Sequence, residues 1–254
     1  FKQKTAYEIG VRLVGSVLAW GLIYWQVKEA PAPQIHGQPQ QTSTSGKEIW
    51  QEFKALLRAP QTPGILVLGS MTYASFMTLR GLWLGPMLIE QLNFSLSEAG
   101  QIALAISVLI LFSPPLFGRI AVQGLARRKL ILQATLGTAV GYLVLAASPL
   151  AWVSVVVCLL IGLSGGYMIL QYADVRASYP SQQTGRALAL FTMSMFLGVA
   201  WMQIMTGLVA SWAHAQDWPV YRSVNLAIAL WLLLGSWTFL KLPRAASMEA
   251  EGSR

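Results

Sequence analysis

Apolar residues in this chain arrive in long runs separated by short polar stretches. Seven stretches are long enough to matter: 6–27, 62–85, 96–118, 129–148, 151–173, 186–211 and 220–241. A helix needs about 20 mostly apolar residues to cross about 30 Å of hydrocarbon. Each stretch is therefore expected to be a membrane-spanning helix. Within a bilayer each span must satisfy its own backbone hydrogen bonds, so the expected fold class is an all-α, polytopic transmembrane helix bundle. The first stretch is the weakest, because Glu8 and Arg12 shorten its clean apolar run to 13–27.

The polar stretches between the runs are not alike. The linker 28–61 carries Lys28, Lys47, Lys54 and Arg58, and the loop 119–129 carries Arg119, Arg127, Arg128 and Lys129. The loop 174–186 carries Arg176 and Arg186, and the segment from 241 onward carries Lys241, Arg244 and Arg254. The alternate connections, 86–95, 148–150 and 212–219, carry no Lys or Arg, although Arg222 lies just inside the last run. Cytoplasmic loops of membrane proteins hold an excess of Lys and Arg. The alternation therefore places the basic loops and the C-terminus in the cytoplasm. Lys2 and Lys4 fall on the opposite side, as expected if earlier spans of a longer protein set the orientation; a chain starting at Phe1 is expected to be such a piece.

Composition agrees with a membrane protein. Hydrophobic residues make up 55% and charged residues 11%, against about 25% charged in soluble domains. The net charge of +8 does not point to nucleic acid, because binders of nucleic acid gather their cations on a polar surface and these cations sit between apolar runs. One cysteine, Cys158, makes neither an intrachain disulfide nor a cysteine-based metal site. The two histidines, His36 and His214, are far apart in sequence, and no cofactor is expected. "GLSGG" joins no strand to a helix, so it is not a nucleophile elbow. There is no P-loop and no His-Glu-x-x-His, so an enzyme is not expected.

The linker after the first run, "EAPAPQIHGQPQQTSTSGKE", is rich in Pro, Gln, Ser and Thr and reads as disordered. Near its end, "IWQEFKALL" at 49–57 has apolar residues at helical spacing and is expected to form a short amphipathic helix on the inner membrane surface. The chain thus divides into one span (1–27), a cytoplasmic linker (28–61), a block of six spans (62–241) and a cytoplasmic tail (242–254).

That layout resembles the second portion of a major facilitator superfamily transporter, with 1–27 as its sixth helix and 62–241 as helices seven to twelve. The family's loop motif, G-x-L-A-D-R-x-G-x-R-R, resembles the stretch from Gly118 and Arg119 through Ile120, Ala121, Val122, Gln123, Gly124, Leu125 and Ala126 to Arg127 and Arg128. The opening glycine, a small residue and the closing basic pair match. The family's acid is Val122 here, its next basic residue Gln123 and its glycine Leu125. "YPSQQTGRALALFTMSMFLGVAWMQIMTG" at 179–207 is similar to the start of helix eleven, and "SLSEAGQIALAISVLILFSPPLFGRI" at 95–120 to helix eight. The resemblance implies a secondary active transporter moving a small solute by rocker-switch alternating access, and the positive-inside pattern with no targeting segment fits a bacterial inner membrane. Its partners would be the solute, the lipid bilayer, the missing N-terminal half of the same protein and a co-transported proton. A non-transporting membrane scaffold or sensor, or an inactive transporter fragment, is the alternative.

Charge inside a span is costly and marks a functional candidate. Arg80 stands about a turn and a half before Pro86. It either faces the cavity and attracts an anionic or carboxylate-bearing solute, or extends to the headgroups. Tyr73, Gln171, Tyr172 and Gln203 join it as substrate-binding candidates, because the resemblance puts their helices around the central cavity. Gly118, Arg119, Arg127, Arg128, Asp174 and Arg186 are candidates for a cytoplasmic gate. With Val122 at the motif's acidic position, Asp174 is the acid near those cations, and Arg186 is its favoured partner. No acid lies in the middle of a span, so a titrating group for a coupled proton is expected in the missing half. Gly137-x-x-x-Gly141 and Gly162-x-x-x-Gly166 place small residues where helices approach closely. Pro114-Pro115 is expected to kink or end its helix.

Overall fold

The structure, a computed structural model, describes residues 46–120 and 122–242. The first expected span, most of the linker and the tail lie outside the described residues. A helix, α1, spans Gly46–Arg58. Six longer helices follow: α2 (Thr62–Gln91), α3 (Leu96–Gly118), α4 (Gly124–Ala147), α5 (Ala151–Ser178), α6 (Ser181–Ala215) and α7 (Val220–Leu240). All six are long and apolar enough to cross a membrane, and each covers one of the expected apolar runs.

Local chemistry sets the helix boundaries. Ser95 and Glu98 form a reciprocal capping box at the start of α3, with the Glu98 N–H donating to Ser95 Oγ at 3.2 Å and the Ser95 N–H to Glu98 Oε2 at 2.8 Å. Asn93, with φ 57°, turns the chain just before it. Pro114 and Pro115 do not end α3, which runs on to Gly118. Having no N–H, they leave the carbonyls of Ile110 and Leu111 without their usual helical donors. In α2 two wide turns interrupt the α-helix, over Leu79–Trp83 and Met87–Gln91, where the Leu84 N–H reaches back to the Leu79 carbonyl and the Leu92 N–H to that of Met87. In α5 a tight 3₁₀ turn occupies Gly165–Tyr167.

The helices alternate in direction. The start of α2 meets the α5–α6 connection where Thr62 Oγ1 and the Tyr179 hydroxyl share a 2.7 Å hydrogen bond. At the far end Tyr221 of α7 donates to Glu90 of α2, and Trp212 packs edge-on against Trp218 across the α6–α7 turn. The basic connections among the described residues therefore fall at one end, called here the basic end. Among the six, α2 packs on α6 and α7, α7 on α4, and α3 on α5.

Two apolar layers stack along the bundle. The layer nearer the basic end includes Leu56, Leu68, Ile131, Val175, Phe191 and Phe239. The farther layer includes Leu79, Leu88, Ile106, Met202, Ile228 and Leu232. Hydrogen bonds between helices occur where the layers meet. The Tyr142 hydroxyl donates to the Ser75 carbonyl at 2.8 Å, Thr135 Oγ1 to the Tyr167 hydroxyl at 3.3 Å, and Thr138 and Ser164 share a 3.3 Å contact. Such bonds add about 0.6–2 kcal/mol each between membrane helices.

Close approach between helices depends on small residues. A Cβ at Gly198 of α6 would stand 2.8 Å from the Ser70 carbonyl oxygen of α2, and one at Gly166 of α5 would overlap the Ser113 backbone of α3. Of the two expected glycine pairs, Gly162 and Gly166 both mark a tight crossing, since a Cβ at Gly162 would meet Ile106 at 2.9 Å. A Cβ at Gly141 would stand 3.3 Å from Ile161, a close but smaller squeeze, and Gly137 faces open space.

Candidate functional site

A cavity of about 420 Å³ opens between α2, α3, α5 and α6. Tyr73, Phe76 and Met77 come from α2, Ile110 and Pro114 from α3, Gly165, Gly166 and Tyr172 from α5, and Thr192, Met195 and Phe196 from α6. Part of the irregular backbone falls here: the 3₁₀ turn of α5 and the first proline of α3 both form wall. Near the cavity Ser113 of α3 donates to the Leu163 carbonyl and accepts from the Gly166 N–H at 2.7 Å, fastening α3 to the broken turn of α5. The polar groups of the wall are few. The Tyr172 hydroxyl shares a 3.2 Å hydrogen bond with Thr192 Oγ1 and lies 3.6 Å from Met195 Sδ.

Arg80 stands one helical turn beyond Met77 on the same side of α2, toward the end opposite the basic one. Its Nη2 donates to Ser107 Oγ at 2.9 Å, and Ser107 is one turn from Ile110 on α3. The exposed guanidinium therefore bridges α2 and α3 at the outer margin of the cavity. Ser107 in turn donates to the Ala103 carbonyl at 2.7 Å.

The other substrate-binding candidates separate. Tyr73 and Tyr172 line the cavity. Gln171 does not. It is buried, and its Nε2 donates to Thr72 Oγ1 at 3.1 Å, a fastening between α5 and α2. Residues 170, 171, 174 and 175 form the buried side of α5, which turns Gln171 away from the wall that its neighbour Tyr172 joins. Gln203 is half-buried on α6, about two turns from Phe196 and outside the cavity wall. Asn225 is buried with its Nδ2 3.9 Å from Met87 Sδ. Helical spacing at 73, 76 and 77 was the available signal for the cavity. Phe196, Met195 and Thr192 were missed because an apolar helix turns similar residues toward cavity, neighbour and lipid alike.

At the basic end a second site is built on a buried carboxylate. Asp174 is 1% exposed. Arg128 Nε stands 3.2 Å from each of its oxygens, and Arg127 Nε 3.6 Å from Oδ1. Arg128 Nη2 also donates to Ser178 Oγ at 3.0 Å, and its Cζ stands 6.0 Å from the centre of the Phe239 ring. The expectation that favoured Arg186 is corrected: these pairs come from α4. The buried side of α4 includes Arg127, Arg128 and Ile131, and it faces the side of α5 that carries Asp174. Arg186 lies half-buried in the second turn of α6, and Gly118 and Arg119 are exposed at the end of α3. The connection to α4 turns through Gly124, whose φ is 54°, one residue before Leu125. The left-handed position thus falls on a glycine although the motif's own glycine is absent.

This cluster is tied to the linker helix. Thr62 Oγ1 donates to the Leu56 carbonyl of α1 at 2.6 Å while contacting Tyr179, and Gln61 Nε2 reaches the Ser178 carbonyl at 3.4 Å. Burial holds the Tyr179 hydroxyl above the usual phenol pKa, keeping it a neutral hydrogen-bonding group. No group of His, Cys, Asp and Glu capable of holding a metal occurs among the described residues.

Six apolar spans, a cavity bounded by four of them and a buried charge cluster at one end are the architecture of a membrane transporter. The family model of the Major Facilitator Superfamily matches residues 65–254, and the chain belongs to that superfamily. Its members are secondary transporters of solutes, integral to membranes, and not enzymes. No curated protein matches the sequence.

Proposed function

We propose that the chain forms the C-terminal half of a transporter that moves a small organic anion, a carboxylate on an apolar body, by rocker-switch alternating access. The observation that carries the solute class is Arg80 at the margin of an otherwise apolar cavity. Aromatic and methionine side chains suit an apolar body. A guanidinium one turn away suits a carboxylate, which it can engage through two parallel hydrogen bonds. Ser107 holds the arginine at the mouth and leaves other donors for the solute.

In this reading the basic end faces the cytoplasm of a bacterial inner membrane, and an N-terminal half completes the site opposite α3 and α6. Asp174, Arg127 and Arg128 join α4 to α5 within one half, so they act as a strut that lets this half rock as a body. Gln171 belongs to the same frame, while Tyr73 and Tyr172 face the solute. The proposal assigns no proton-carrying step to these helices, whose buried carboxylate is engaged by two guanidiniums.

The test is counterflow in proteoliposomes with a panel of aromatic and aliphatic monocarboxylates beside their amides. Carboxylate flux should fall at least about tenfold in Arg80→Gln, the loss of one charge-assisted contact of about 1.5–3 kcal/mol. Arg80→Lys should keep part of it. Equal flux of acid and amide, or full flux in Arg80→Gln, overturns the anionic assignment.

A further inference from the structure

α4 and α7 pack against each other and form no part of the central cavity wall. At their basic end lies a separate cleft of about 280 Å³. Arg128 and Lys129 form its cationic side, and Leu125, Leu132 and Leu240 its aliphatic side. Lys129, Leu125 and Leu240 are exposed. Beyond the cleft, α4 continues toward the membrane interior with exposed Leu136, Val140 and Leu143. Next to Leu240, the Lys241 ammonium sits 3.5 Å from the centre of the ring of Trp237, one turn back along α7. A tryptophan beside a lysine is the pairing found at the boundary between hydrocarbon and headgroups.

Among the described residues, cations outnumber carboxylates in the ion pairs at this boundary. Arg127, Arg128 and Lys129 are consecutive, and the carboxylate of Asp174 contacts the first two. Lys129 makes no ion pair with the described residues. All three cations also lie in the first two turns of α4, where the helix dipole adds further positive potential. An anion in the cleft would relieve that potential, and the leucines of its other side suit a hydrocarbon chain rather than water.

We propose that this cleft binds an anionic glycerophospholipid, its phosphate against Lys129 and one acyl chain along Leu132 and the exposed row of α4. Basic pockets between membrane helices are suited to such headgroups. The proposal requires only that the bundle is embedded in a bilayer, and it is read without a transport assay, so it stands or falls apart from the role of Arg80.

The experiment is native mass spectrometry of the protein purified in a neutral detergent, titrated separately with phosphatidylglycerol, phosphatidylcholine and inorganic phosphate. A phosphatidylglycerol adduct should outlast the phosphatidylcholine adduct. Lys129→Ala should weaken it about fivefold, the effect of one cation near an anionic surface, and Lys129→Arg should restore it. Arg176→Ala, at an exposed cation of the same end but outside the cleft, should leave it intact. Three results would each overturn the proposal: equal retention of the two lipids, equal losses in Lys129→Ala and Arg176→Ala, or inorganic phosphate occupying the cleft as tightly as the lipid. Lys129 is exposed, so its replacement does not threaten folding.

Discussion

Two guanidiniums and one carboxylate share the buried contact between α4 and α5. The Asp174 charge makes both arginines tolerable there, since a buried cation without a counter-charge costs several kcal/mol. Arg127 already stands at the edge of that arrangement, because its Nε is buried and has no hydrogen-bond partner. Asp174→Asn should therefore destabilise the bundle by about 3–5 kcal/mol, seen as a lowered midpoint of thermal unfolding in detergent. Adding Arg127→Met should recover part of the loss. An unchanged midpoint in Asp174→Asn would mean that water, not the carboxylate, solvates the arginines. From sequence, the shortage of acids near the basic loops singled out Asp174. The choice of Arg128 over Arg186 was not legible, because it depends on which sides of α4 and α5 are buried against each other.

At the scale of helices, glycine spacing pointed to two faces of close approach, and only one of them is tight on both residues. A methyl group at Gly166 would overlap the Ser113 backbone, whereas one at Gly137 meets nothing within 4 Å. Gly166→Ala should cost about 1–3 kcal/mol through overpacking and should also separate α3 from the 3₁₀ turn that lines the cavity. Gly137→Ala should be neutral, or stabilising by up to about 1 kcal/mol through helix propensity. Unfolding midpoints of the two variants compared side by side check this, and equal effects would contradict the assigned crossing. The small-x-x-x-small pattern is the same in both sequences. What distinguishes them is the partner: the backbone of α3 behind Gly166, and open space beside Gly137. The prolines of α3 show the same limit, since their chemistry announces a disturbed helix but not that the helix would run through to Gly118.

For the molecule as a whole, burial is uneven. In the most apolar window of α2, 56% of residues are buried within the bundle, but in that of α3 only 11%. Leu111 on α3 is 74% exposed, and Leu230 on α7 is 63% exposed. Composition cannot separate these two leucines. In the proposed transporter, α3 stands toward the other half and α7 toward lipid. Spin labels placed by Leu111→Cys and Leu230→Cys should then differ severalfold in oxygen collision rate in liposomes, with Leu230 the more accessible. Equal collision rates would argue against a second half covering α3. The native Cys158 is buried and should contribute little background labelling.

The sequence by itself determined the number of spans among the described residues, their limits to within about six residues, their alternation and the membrane as solvent. Each of these follows from hydrocarbon thickness and from the cost of placing charge in it, and both act on local composition. The family was legible too, through the layout of the spans and a half-kept loop motif. Only the tertiary structure decided which side of each helix faces the cavity, that Tyr172 lines it while Gln171 fastens α2 to α5, and that Ser107 holds Arg80. In water an apolar stripe reveals the buried side of a helix. In lipid, core, cavity wall and outer surface are all apolar, so their assignment depends on packing between residues distant in the chain.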